Sequence, residues 1–337
     1  MAKFYRRLAL LILLVGGISA AVIYFTLDIQ TFSHLGAFRP WSLAAVGGLL
    51  VLGMLFDGTR LLHLVRIAGQ RITLVQAVQV IFSNYFAALL TPGATGGAVA
   101  QVMFLYRAGV PTGIATVVVL IRTLMSIMFL FACLPLIFAY DPGLLPWISP
   151  QTLIAASSAI ILTGGAGVWF LRSQLSLRLL RRFTRRAGRT RRHQIFALYR
   201  DTRGAVFLML SAPKSMLRVF AESAASLLSL YAVVPVLFLG LGVPVDWPLV
   251  MGRMIFLNLL LYFAPTPGGS GIAEGGFVFL FGGLLPPGTV GVLAVAWRFF
   301  AEYLPFSVGF YFTIKVFGRD YLMGQPKKKR GVNDPQR

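Results

Sequence analysis

Two short stretches of this 337-residue chain combine residue types suited to binding anions with positions where such chemistry is unexpected. Thr91-Pro92-Gly93-Ala94-Thr95-Gly96-Gly97 and Thr266-Pro267-Gly268-Gly269-Ser270-Gly271 each interrupt apolar sequence, 175 residues apart. A helix restarting after such a break presents unpaired N–H groups and its positive dipole end. Ends of that kind bind anions, phosphates especially. An arginine follows each stretch at a matched distance, Arg122 and Arg298, and a guanidinium fork holds a phosphate through two bonds. Glu274 falls in the first turn after the second break, where an acid near the bilayer centre costs about 2.5–3.5 kcal/mol and asks for a partner. Arg298, Arg253 and Arg122 are the candidates, and Glu302 stands four residues beyond Arg298.

Each feature also has a plain structural account. Proline and glycine allow helices to pack closely, Glu274 caps a helix start, and Arg298 with Glu302 forms an i,i+4 pair in the less favourable order. Repetition at matched positions argues for function. The expected substrate site is therefore Thr91, Pro92, Gly93, Gly96, Gly97 and Arg122 from one half, with Pro265, Pro267, Gly268, Gly269, Gly271, Glu274, Arg298 and Glu302 from the other. In it the helix ends hold a head-group phosphate, the arginines neutralise it, and Glu274 orders the arginines or carries a coupling proton. Arg122 has no acid within four positions and must hold the head group or meet an acid such as Glu222. Asp57, Arg60 and His63, three apart on one face, read as an interfacial pair with a snorkelling arginine.

Enzymatic and metal chemistry fare poorly. Gly268-Gly269-Ser270-Gly271 fits the serine pattern of intramembrane rhomboid proteases, but no histidine follows His193 to activate the serine. The three histidines, His34, His63 and His193, are dispersed, with no metal-ligand spacing. No ATP-binding P-loop is present. No enzyme, cofactor or metal is expected.

The elements that must position these residues are apolar helices. Apolar residues make up 57% of the chain and charged ones 12%, about half the charge of a soluble domain. Runs of roughly 20 apolar residues are long enough to cross a bilayer, and they lack the alternation of a transmembrane barrel. This predicts an all-α, polytopic membrane protein. Lysine and arginine outnumber acids by 31 to 10. Nucleic acid is not the expected partner, because the basic residues gather beside the apolar runs. Eleven arginines lie between Arg172 and Arg203, and Lys327-Lys328-Lys329-Arg330 lies in the C-terminal tail. Both mark cytoplasmic flanks. Leu175, Leu177, Leu179, Leu180 and Phe183 interleave with the first arginines, as in a helix lying on anionic lipid. The single cysteine, Cys133, excludes an internal disulfide.

Basic flanks give spans at about 8–27 (an uncleaved first span rather than a signal peptide), 41–65, 112–140, 151–171, 217–241 and 289–316. Broken segments lie at about 73–105 and 247–285. Both termini are then cytoplasmic, in a cytoplasmic membrane. Residues 1–171 form a first membrane repeat, 172–216 an arginine-rich cytoplasmic loop, 217–320 a second repeat and 321–337 a basic tail. Pro111 to Arg122 matches Pro287 to Arg298 at an offset of 176. Three spans separate the broken hairpins, so the repeats are inverted, as in many transporters.

The block Pro265-Thr266-Pro267-Gly268-Gly269-Ser270-Gly271-Ile272-Ala273-Glu274, followed by Trp297-Arg298 and Pro305, resembles the lysylphosphatidylglycerol synthase transmembrane region family, flippase-like proteins of the uncharacterised family 0104 type. Thr91 through Tyr106, with Gly109 and Arg122, resembles its partner block. The resemblance covers roughly residues 1–320. It implies a multi-pass bacterial or archaeal inner-membrane protein that flips or transports lipids, without the soluble domain that makes the aminoacylated lipid in larger members. Members usually carry a Glu and a basic residue after the first glycines and a Glu before the first arginine. Ala98, Gln101 and Ile121 stand there instead, so the first hairpin should lack that charge pairing.

The reading is a flippase-like translocase of an anionic lipid or lipid-linked substrate. Its partners are membrane lipids, with a homo-oligomer and a lipid-modifying enzyme left open. Two other functions remain: a non-transporting lipid-binding partner of such an enzyme, acting through the arginine-rich loop, and an ion-coupled small-solute transporter.

Overall fold

The computed structural model describes residues 38–184, 211–286 and 288–318, with scattered positions from 185 to 210. The expected first span, its loop with Asp28 and His34, most of the arginine-rich loop and the basic tail lie outside the described residues. Among the described residues there are helices and no strands.

In chain order the helices are α1 (Pro40–Ile67), α2 (Leu74–Leu90), α3 (Thr95–Arg107), α4 (Thr112–Tyr140), α5 (Pro150–Arg172) and α6 (Gln174–Phe183). They continue with α7 (Pro213–Tyr231), α8 (Val233–Gly240), α9 (Trp247–Tyr262), α10 (Ile272–Phe281), α11 (Thr289–Arg298) and α12 (Leu304–Thr313). α1, α4 and the nearly continuous α7–α8 (Pro213–Gly240) are long and apolar enough to cross a membrane. The broken arms α2 and α9 are shorter. The single helix expected over 289–316 is interrupted by a π-helical turn at Phe299–Tyr303. Capping residues start several elements. The Thr73 side chain accepts the Gln76 N–H before α2, Ser149 accepts that of Thr152 before α5, and Asp246 accepts that of Leu249 before α9.

Burial follows the logic of a membrane protein. Leu136, Leu162 and Trp169 are each 73% exposed, whereas Arg298 is 2% exposed. Outward-facing apolar side chains and inward-facing charges are the arrangement lipid demands. Two apolar cores result. One gathers Leu61 and Leu64 of α1, Val80 and Ile81 of α2, Leu105 of α3, Val118 and Ile121 of α4 and Val219 of α7. The other gathers Val46 of α1, Leu130 of α4, Leu237 of α8, Met254 of α9, Phe277 and Phe281 of α10, and Leu293 and Trp297 of α11. α1 and α4 run through both. The first broken hairpin thus sits in one core and the second in the other.

A third, small cluster links them: Leu89 and Leu90 at the end of α2, packed against Phe86, Tyr303 and Phe306. It extends along α2 and α12 as an aromatic ladder, with Phe86 ring centres 5.3 Å from Phe306 and 5.7 Å from Phe310. Gly309 lets these helices approach, because a Cβ there would lie 2.1 Å from the Phe82 carbonyl oxygen. Gly309→Ala should therefore lower the melting temperature of the purified protein by several degrees, a cost of about 1–3 kcal/mol for overpacking. Gly47→Ala, where a Cβ meets nothing within 4 Å, should not lower it.

Candidate functional site

Pro92 and Pro267 lie opposite one another as an antiparallel backbone bridge. The two breaks, far apart in sequence, meet. Neither proline has an N–H to give, so the pairing draws on the residues at either side. The contact is tight: a Cβ on Gly268 would sit 2.4 Å from Leu89 Cδ1 and 3.3 Å from the Leu89 carbonyl oxygen.

The two breaks also share a local conformation. After each proline come two left-handed residues, Gly93 (φ 61°) and Ala94 (φ 52°) in one, Gly268 (φ 58°) and Gly269 (φ 65°) in the other. Two such residues in succession mark a type I′ turn. Its bonds correspond in detail. Ala94 N–H donates to the Thr91 oxygen (3.2 Å) and Gly269 N–H to the Thr266 oxygen (3.1 Å). Thr95 N–H reaches Pro92 and Ser270 N–H reaches Pro267, and the Thr95 and Ser270 hydroxyls donate to the same two carbonyls.

The helix starts differ from expectation. Gly96 N–H donates to Thr91 Oγ1 (2.8 Å) and Gly97 N–H to the Ala94 carbonyl (3.1 Å). Gly271 N–H donates to Glu274 Oε2 (2.8 Å). N–H groups expected to be unpaired and open to a phosphate are bonded within the chain, because the threonine hydroxyl and the glutamate reach them first.

Glu274 meets Arg298, as one of its three candidate partners. Arg298 Nε donates to Glu274 Oε1 (3.0 Å), and Nη1 donates to the Gly268 carbonyl (3.0 Å) and to Glu302. The Tyr303 ring lies 5.9 Å from the guanidinium. The cap, the i,i+4 pair and the loop contact are thus one network. The π turn lies in the segment that carries Glu302, and such turns often occur at functional positions. Among the described residues, one guanidinium stands between two carboxyl groups in this cluster. Arg253, the second candidate, pairs instead with Asp141 (2.8 Å) and with the Leu280 carbonyl.

Arg122, the third candidate, belongs to another cluster. Its Nε donates to Asp57 Oδ1 (3.1 Å), Nη2 to Asp57 Oδ2, and Nη1 to Gln101 Oε1 (2.6 Å). Gln101 Nε2 in turn donates to Asn84 Oδ1 (2.8 Å), tying Arg122 to both arms of the first hairpin. Gln101 is neutral and accepts from the arginine through its amide oxygen. Arg60 Nη2 also donates to Asp57, and its Nη1 donates to Ser126 Oγ (2.9 Å) and Ser223 Oγ (3.0 Å).

Two expectations are thereby corrected. Asp57 and Arg60 are not an interfacial pair. They are each 4% exposed, inside the bundle, and Asp57 rather than Glu222 is the acid of Arg122. Glu222 pairs with His63 (2.9 Å) and Arg218 (3.3 Å). Sequence reasoning missed Asp57, Arg60, Asn84, Ser126 and Ser223. The available signal was depth, since Asp57 lies eight residues, about 12 Å, inside the expected span end at Val65.

Residues 9–309 match the family described as Lysylphosphatidylglycerol synthase TM region. The chain belongs to this family. It is also 24% identical, over 268 residues, to a UPF0104 membrane protein of Archaeoglobus fulgidus, covering 77% of this chain and 81% of that relative. The match agrees with the helical, membrane-spanning character of the described residues.

Removing one partner of a buried ion pair strands the other and costs about 3–5 kcal/mol. Glu274 both pairs with Arg298 and caps Gly271, while the Glu302 side chain is 21% exposed. Glu274→Ala should therefore lower the unfolding temperature more than Glu302→Ala, and equal losses would argue against this division of roles. Ala94→Gly should raise stability by about 1 kcal/mol, because a left-handed alanine carries a penalty that glycine lacks.

Proposed function

We propose that the protein is a lipid translocase, moving an anionic lipid or lipid-linked substrate across the cytoplasmic membrane. The observation that carries this reading is the Pro92–Pro267 contact, where two non-helical segments meet between apolar helices. Polar backbone at membrane depth belongs beside protein or a wet cavity. Paired broken segments in two halves of a chain are the usual mark of a transport site. The matching turns support a duplication, and the positions of the basic residues support its inverted orientation with both termini cytoplasmic.

In this account the head group crosses beside the paired breaks while the acyl chains stay against the apolar outer face. Arg298 is the positioning residue of the second break, holding the Gly268 carbonyl while Glu274 and Glu302 hold Arg298. Family membership supports a lipid-related membrane role. Binding of the substrate by Thr91, Gly93, Gly96, Gly97, Pro265, Gly269 and Gly271 is part of the same proposal. With their helix-start N–H groups occupied, these residues act through shape and close backbone approach.

The test is head-group accessibility of labelled anionic lipids in proteoliposomes. Wild type should speed transbilayer movement, and Arg298→Ala should abolish it while the protein still inserts. Wild-type rates in Arg298→Ala would remove that residue from the mechanism. No acceleration by wild type with several anionic lipids would overturn the translocase reading and turn attention to the arginine-rich loop.

A further inference from the structure

Asp57, Arg60 and Arg122 form a buried group whose charges do not balance among the described residues. Two guanidinium groups share one carboxylate. The three residues are 4%, 4% and 8% exposed, so little water screens the excess positive charge. The neighbouring acid, Glu222, is engaged by His63 and Arg218. The other polar contacts of the arginines are neutral: Ser126, Ser223 and Gln101. A second observation is independent of the charge count. Among the described residues, Arg60 Nε is a buried donor with no acceptor. Unpaired buried donors are rare, and each needs an explanation.

We infer that Arg60 and Arg122 form an anion site for a phosphate, with Asp57 as the resident counter-ion that the phosphate partly replaces. A phosphate oxygen is a stronger acceptor than a serine hydroxyl, and a guanidinium presents it with a fork of donors. Such a ligand gives the idle Nε an acceptor, takes over Nη1 from Ser126 and Ser223, and cancels the excess charge. The second cluster does not offer this. Arg298 lies between two carboxylates, and the N–H groups of Gly269, Ser270 and Gly271 are occupied. Negative charge therefore belongs at the first hairpin, where Gln101 and Asn84 connect Arg122 to the broken segment. That the phosphate is carried by a lipid rests on the translocase reading; that the site takes a phosphate does not.

The test is binding to the purified full-length protein in neutral detergent, titrated with short-chain phosphatidylglycerol, inorganic phosphate or a neutral glycolipid of the same chain length. Phosphatidylglycerol should bind and the glycolipid should not. Arg60→Gln should weaken binding at least about tenfold, the scale of one lost charge-assisted contact. Asp57→Asn should strengthen it by about the same factor, because it removes the competing anion. A purely structural ion pair predicts the opposite for Asp57→Asn, a less stable protein with no gain in affinity. Failure of both phosphatidylglycerol and phosphate to bind wild type overturns the site, as does equal affinity in wild type and both variants. If inorganic phosphate binds as tightly as phosphatidylglycerol and no lipid moves in proteoliposomes, the anion site stands and the translocase reading falls. Lipid movement and phosphatidylglycerol affinity that are both unchanged in Arg60→Gln leave the translocase standing and refute this site.

Discussion

Backbone that leaves a helix inside a membrane must find partners for its N–H and C=O groups within the protein. In the proposed arrangement, the architecture around residues 91–94 and 264–271 follows from that constraint. Each break turns through the same two left-handed residues and satisfies part of itself through short-range bonds. Further contacts come from the other break, across the Pro92–Pro267 bridge, and from Arg298, which donates to the Gly268 carbonyl. Proline and glycine are suited to this place for separate reasons. Proline leaves no N–H to satisfy, and glycine permits both the left-handed turn and the close approach to Leu89.

Charge is organised around the same contact, unevenly. Two arginines and one acid stand at the first hairpin, one arginine and two acids at the second. The six groups balance as a set but not within either cluster. A helical scaffold needing only rigidity would be better served by apolar packing, since buried ion pairs offset much of their attraction by desolvation. Burying ionisable groups of both signs in each cluster supports the proposed role in handling a charged ligand.

Much of this was legible in the sequence. Apolar runs with charged ends gave the helices, and the repeated Thr-Pro-Gly with an arginine at a fixed offset gave both breaks and two of the central cations. Glu274 was legible because an acid in an apolar helix start has few explanations. Other features depend on three-dimensional neighbours. Asp57 lies 65 residues from Arg122 in sequence, and no local spacing predicts that they meet. Arg60 and Asp57 looked interfacial because a charged residue within a few turns of a span end normally snorkels, and only the packing of α1 against α4 and α7 shows that they turn inward. The pairing of the helix-start N–H groups depended on rotamers of Thr91 and Glu274, which sequence does not specify.

We propose that the two breaks form one junction through which a lipid head group passes. Cysteines at the bridge positions test it directly: Pro92→Cys with Pro267→Cys in a Cys133→Ser background, reconstituted in proteoliposomes. Residues opposed in an antiparallel pair lie about 4.5–5.5 Å apart at Cα, within disulfide reach. The proposed junction requires that oxidation link the two cysteines within one chain, that lipid movement stop, and that reductant restore it. Efficient linking with undiminished lipid movement, or no linking at all, would contradict it.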